Sequence, residues 1–170
     1  MLRITTIFII NILMLNSLHA NEPTLATLES VTSNEVQKFR INQFTFYCKP
    51  YGVVSVEELY KNITLNATCK KSIEKFYIQN PQAKYFTHSL LKPKQMYHLE
   101  FKDQECILFA KGEKTLSELL LENGYGVLKP MFEDKEYKGY FTKSQNKAKL
   151  LKKGLWGTNI IRECIAELYK

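Results

Sequence analysis

The chain has 170 residues, of which 45% are hydrophobic, 12% aromatic and 24% charged. That is enough apolar material for one domain with a real core, and it excludes a disordered or low-complexity protein. The formal net charge of +7 favours polyanionic partners such as nucleic acid or an anionic membrane surface and disfavours polycationic ones.

The N-terminus, MLRITTIFIINILMLNSLHA, carries one positive residue, Arg3, before the mostly apolar run Ile4–Leu15. It closes on the small residue Ala20, as a signal-peptidase site requires. The run is too short, and too soon followed by polar sequence, for a membrane span. Residues 1–20 are therefore expected to be a signal peptide cleaved after about Ala20, which sends the protein to the periplasm or out of the cell. Cleavage removes one positive charge and no acid, so +7 becomes +6. No transmembrane span is expected in the mature chain. An oxidising compartment gives meaning to Cys48, Cys69, Cys106 and Cys164, an even set that implies two disulfides. Four cysteines allow three connectivities, and all three stay open at this point. With no CxxC, and with only His88 and His98 after the leader, the spacing of a zinc site is missing.

Residues 21–33 read as a polar leader into the domain. EVQKFRINQFTFYC, residues 35–48, is rich in β-branched and aromatic residues, and Asn42-Gln43 divides it into two strands. KPYGVV extends the second strand, with Pro50 limiting its ladder bonds. Ser55 and Glu58 have the spacing of a capping box. Cys69, Ile73 and Phe76 mark one face of a helix over about 66–79, which Asn80-Pro81 stops. Residues 95–101 and 105–111 form a hairpin around Lys102-Asp103-Gln104. Thr115 and Glu118 cap a helix that runs to Asn123 and ends on Gly124, and residues 125–128 follow as a strand. A charged loop leads to a long helix over 140–153, ended by Gly154. Ile160, Ile161, Cys164, Ile165 and Leu168 stripe a last helix as core packing. Asn62-Ile-Thr and Asn66-Ala-Thr are glycosylation sequons, meaningful in a eukaryotic source. Short strands with a helix between the third and fourth follow the order of an OB-type barrel. The expected fold is α+β with a mainly β core: a five-stranded OB-type barrel with about three helices and an extra C-terminal helix.

LSELLLENGYGVLKP at 116–130 and FTKSQNKAKLLKKGLW at 141–156 together resemble the C-terminal half of the thermonuclease family, the staphylococcal-nuclease-like branch of the OB-fold. Leu120, Gly124, Val127, Ala148, Lys153, Gly154 and Trp156 carry the likeness. It implies a thermonuclease-like OB domain over 34–156 and a C-terminal helical extension over 157–170. The family's catalytic half has a "DGDT" turn and an "RLxGIDtPE" segment. Carboxylates hold a Ca²⁺, a glutamate activates water, and two arginines bind the phosphate. The resemblance puts SNEVQKF, residues 33–39, on the first motif and KPYGVVSVE, residues 49–57, on the second. Glu35 then takes the first metal aspartate, Lys49 the first arginine, Val54 the second metal aspartate and Glu57 the general base. Gln104 falls near the second arginine.

An aliphatic side chain holds no metal, lysine loses the bidentate fork of arginine, and glutamine loses the charge. The implied protein is an exported domain with a degraded active site and no cofactor, a binding or assembly module for nucleic acid or a protein partner. Lys38, Arg40, Tyr47 and Tyr51, with Lys49, would supply its binding face, because basic residues interleaved with aromatics suit phosphates and stacked bases. The alternative is an active Ca²⁺-dependent nuclease using Glu57, Lys49 and metal-bound Glu35, with Glu58 or Asp103 standing in at Val54. For the cysteines the resemblance leaves a pairing in which Cys69–Cys164 ties the final helix back and Cys48–Cys106 staples neighbouring strands.

Overall fold

The computed structural model describes residues 23–61 and 67–165. The expected signal peptide, both sequon asparagines and the end of the expected last helix lie outside the described residues. The class is α+β with a mainly antiparallel β core. Strands β1 (Thr24–Val31), β2 (Gln37–Ile41), β3 (Phe44–Cys48), β5 (Met96–Lys102), β6 (Glu105–Lys111) and β7 (Lys114–Thr115) form one sheet in the order β3-β2-β1-β5-β6-β7. A second, two-stranded sheet pairs β4 (Val53–Ser55) with β8 (Gly126–Leu128). The described residues thus hold eight strands in two sheets where five strands were expected, and the expected strand at 125–128 lies in the second sheet as β8.

The largest correction concerns residues 21–33. Residues 24–31 of this expected polar leader are β1, which pairs antiparallel with β2 on one side and β5 on the other. Ala26, Leu28 and Val31 face the core. A register shift between Leu28 and Ser30 moves the inward positions from even to odd numbers. That bulge breaks the period of two by which a half-buried strand is recognised. The domain therefore begins before residue 34.

β3 ends at Cys48, and the chain does not continue as one strand through Val54. Instead Cys106 N donates to Lys49 O at 2.9 Å and Tyr51 N donates to Cys106 O at 3.1 Å, a short parallel bridge between the segment after β3 and β6. Cys48 and Cys106 are joined at the same place.

Among the described residues between β4 and β5 lie four helices: α1 (Val56–Lys61), α2 (Ala67–Gln79), α3 (Pro81–Lys84) and α4 (Phe86–Leu90). Pro81 opens α3 rather than merely ending α2, as its fixed φ and missing N–H allow at a first helical position. The capping box of α5 (Leu116–Glu122) forms in both directions between Thr115 and Glu118. α6 (Lys138–Leu150) starts and stops two to three residues earlier than its pattern predicts. A 3-10 turn at Gly154–Gly157 and a π turn at Ile161–Ile165 follow.

The described residues form two buried cores. Leu28, Phe39, Leu99, Leu108, Leu120 and Phe141 belong to the first, under the main sheet. Val54, Leu59, Ile73, Phe76, Val127 and Leu155 belong to the second, beneath the helical excursion. Cys69–Cys164 crosses the second core, so both implied disulfide pairs are present, and they interleave along the chain. Two glycines of the family-like pattern have a steric reason. Gly124 (φ +68°) and Gly154 (φ +52°) meet backbone to backbone, and a Cβ on Gly154 would lie 2.3 Å from Gly124 O. Leu155 N donates to that same oxygen at 2.9 Å. Leu155 is fully buried there, whereas the adjacent Trp156 is half-buried against the second core.

Candidate functional site

The segment after β3, the start of α1 and the β5–β6 turn line one cleft, and the β1–β2 turn meets its edge through the Glu35–Lys49 pair. Ser33 Oγ shapes the first turn by accepting from Glu35 N at 3.1 Å and Val36 N at 3.2 Å. This turn presents Glu35, whose side chain is only 8% exposed. Lys49 Nζ lies 3.3 Å from Glu35 Oε1, and Lys61 Nζ, from the end of α1, lies 2.7 Å from Oε2. Burial pushes the Glu35 carboxyl up, but hydrogen bonds from Lys61 and Lys49 outweigh it and hold it below the usual carboxylate range.

The adjoining cleft has a volume of about 460 Å³ and is lined by Lys49, Tyr51, Glu58, Lys102, Gln104 and Lys129, among others. Its cations are already matched. Lys129 Nζ is 2.6 Å from Glu105, whose other oxygen accepts from Gly52 N at 3.2 Å. Lys102 Nζ lies 3.8 Å from Asp134 and 5.4 Å from the Tyr137 ring centre. Tyr51 donates to Asp134 at 3.0 Å, and burial together with that carboxylate pushes its phenol up to about 12.

Glu57 and Glu58 part company at the start of α1, because consecutive helical residues point in different directions. Glu58 enters the cleft, where burial raises its carboxyl and Lys49 pulls the other way. Glu57 turns instead toward α2, where it lines a separate cavity of about 520 Å³ with Tyr60, Tyr77 and Ile78. Asn34, 1% exposed, fixes it: Nδ2 donates to Glu57 Oε1 at 2.8 Å and to Ala83 O at 2.7 Å, while Oδ1 accepts from Thr87 N at 2.9 Å. Burial pushes Glu57 up. Its Oε2 and the Tyr77 hydroxyl are both buried without a hydrogen bond of ordinary geometry among the described residues. They are still close enough that, after burial, Glu57 is what pushes the Tyr77 phenol up.

The structure therefore brings Glu35, Lys49 and Gln104 to one place and separates Glu57 from them. Of the two expected stand-ins, Glu58 and Asp103 both line the cleft, together with Glu105. The sequence signal for Glu58 was the capping pair, whose Glu58 N donates to Ser55 Oγ at 3.1 Å and so fixes the helix start. Val54 is buried in the second core and faces no ligand position.

The four expected face residues also divide. Lys38 and Arg40 both reach Glu29, at 2.9 and 3.1 Å, with Tyr47 opposite Lys38 across the β2–β3 ladder and exposed. Tyr51 belongs to the cleft, packed on Phe132 and Tyr137.

At the positions that the likeness assigns to a Ca²⁺, Glu35 is held in ion pairs and Val54 offers no oxygen. The Glu35 carboxylate already has an ammonium on each of its oxygens. What the cleft can do chemically is hold a neutralised, hydrogen-bonded surface. Compared with models of known protein families and with curated proteins, the chain has no match.

Proposed function

We propose that this is an exported, disulfide-stabilised domain of degenerate thermonuclease-like build, whose role is to bind a partner rather than to cleave phosphodiesters. In this reading the main sheet curls into an OB-type barrel. Support comes from the parallel bridge at Lys49–Tyr51 and Cys106, which connects the two ends of the β3-β2-β1-β5-β6 run. The observation that carries the functional reading is the double ion pair on Glu35: the carboxylate at the first metal position is buried beneath Lys49 and Lys61. A hard cation would have to displace both ammonium groups and would find Val54 where a second ligand is needed.

The Lys38–Arg40–Tyr47 face favours a polypeptide over a polyanion, because Glu29 sits between its two cations. Tyrosine and arginine at a mixed-charge surface suit a protein interface.

The test is degradation of single- and double-stranded DNA and of RNA by the oxidised protein, with Ca²⁺ and with chelator, beside Glu57→Gln and Glu58→Gln. No cleavage in any arm is expected. Metal-dependent cleavage that disappears in either variant would overturn the reading and restore the nuclease.

A further inference from the structure

Residues 138–153, KGYFTKSQNKAKLLKK, contain six lysines and no acid. They form α6 and the turn after it. One stripe of the helix, Phe141, Gln145 and Ala148, is buried against the domain. The opposite stripe carries Tyr140, Lys143, Lys147 and Leu150, spaced three and four apart and exposed to solvent. At the tip Leu150 is 83% and Leu151 54% exposed, and both are flanked by lysines on each side. Lys138 pairs with Glu133 and Lys147 with Glu122. Lys143, Lys149, Lys152 and Lys153 form no ion pair among the described residues. Lys149 instead lies 4.6 Å above the Trp156 ring.

Lysines in the last helical turn complement the macrodipole, and that alone explains some of them. It explains neither the two leucines nor the lysines beyond the helix end. Two adjacent leucines held out into water are costly unless something apolar receives them. A ring of unpaired ammonium groups around them selects a receiver with an anionic surface above an apolar interior. A bilayer with anionic headgroups is that combination: leucines enter the acyl boundary while lysine stems lie along it and their charges stay at the phosphates. A nucleic acid offers the leucines nothing. The tip has no arginine, and its neighbouring tryptophan is covered by Lys149.

We propose that the C-terminal end of α6, with Leu150 and Leu151 as the inserting pair and Lys149, Lys152 and Lys153 around it, docks the protein onto an anionic membrane surface. This does not rest on the binding-module reading, since the surface is remote in sequence from Lys38, Arg40 and Tyr47 and uses none of the cleft residues.

The experiment is vesicle co-sedimentation of the protein as recovered from cells, with both disulfides formed. The vesicles are phosphatidylcholine alone and phosphatidylcholine with added phosphatidylglycerol, each at low and high salt. Any contribution of the N-terminal apolar run is common to all variants. Binding is expected only to the anionic vesicles and to weaken with salt. Lys149→Gln with Lys152→Gln and Lys153→Gln should lower it about a hundredfold, at about fivefold per lysine. Leu150→Ser with Leu151→Ser should lower it at least about tenfold, with circular dichroism unchanged because both side chains are exposed. Lys84→Gln, an exposed lysine on α3, should leave it unchanged. Equal binding by the leucine variant overturns the proposal. So does a preference for a single-stranded oligonucleotide over the anionic vesicles that the leucine variant retains, which would assign the surface to nucleic acid.

Discussion

Asn34 is the residue on which the junction between β1, α1, α3 and α4 depends, and its replacement by alanine is the most informative perturbation of the fold. Its side chain is almost fully buried and makes three hydrogen bonds, to Glu57 Oε1, Ala83 O and Thr87 N. Asn34→Ala leaves all three buried groups without their partner. Each such group costs about 1–3 kcal/mol, most for the charged carboxylate, and partial entry of water relieves some of the sum. A net loss of about 3–4 kcal/mol is expected, a large share of the about 5–15 kcal/mol that a domain has. With a urea m-value of about 2 kcal/mol/M, the unfolding midpoint should fall by about 1.5–2 M. The assay is urea unfolding followed by tyrosine and tryptophan fluorescence at neutral pH. Asn34→Asp should be at least as harmful, since it places a second carboxylate against Glu57. A midpoint shift below about 0.5 M for Asn34→Ala would refute the claim that these bonds organise the junction.

Stability should depend on pH in two opposite ways. Glu35 is held low, and Glu122 falls to about 2 beside Lys114 and Lys147. Their contribution is complete above the ordinary carboxylate value and is lost as pH falls through the depressed folded values. Glu57 and Glu58 are raised, mainly by burial, so lowering the pH from neutral first relieves their cost. Unfolding midpoints measured across this range should pass through a maximum in mild acid, and Glu57→Gln should remove part of the rise while being neutral or stabilising at pH 7. Breaking Cys69–Cys164, which closes 95 residues, by Cys69→Ser with Cys164→Ser should cost about 4–5 kcal/mol in denaturant unfolding. A peptide map without reductant should show the 48–106 and 69–164 links. Gly154→Ala should lower the unfolding free energy by about 2 kcal/mol or more, because φ is positive and the new Cβ meets the Gly124 carbonyl; a neutral outcome would mean that the two turns separate easily.

The elements that were legible in the sequence are those whose signals are local. The Thr115–Glu118 box, the β5–β6 hairpin, the Cys69–Ile73–Phe76 stripe and the glycine after α5 all appear where their residues put them. β1 was not legible, because a bulge at Glu29 breaks its alternation and because its inward residues include a small alanine. α3 and α4 were hidden behind Asn80-Pro81, which reads as a stop although Pro81 also begins a turn of helix. At the candidate site, alignment by spacing placed Glu35, Lys49 and Gln104 together but chose Glu57 over Glu58. The choice between neighbours depends on helix phase and on Asn34, which lies 23 residues away in sequence. No local pattern carries that bond.

The interleaved disulfides set an order on oxidation. Along the chain the cysteines come as 48, 69, 106 and 164, and the native links join the first to the third and the second to the fourth. Cys48 and Cys69, the first two thiols along the chain, are therefore never native partners, yet until Cys106 follows each is the only partner that the other has. A protein built this way matures by waiting or by exchange. Its yield should depend on a thiol–disulfide isomerase more than on the strength of the oxidant.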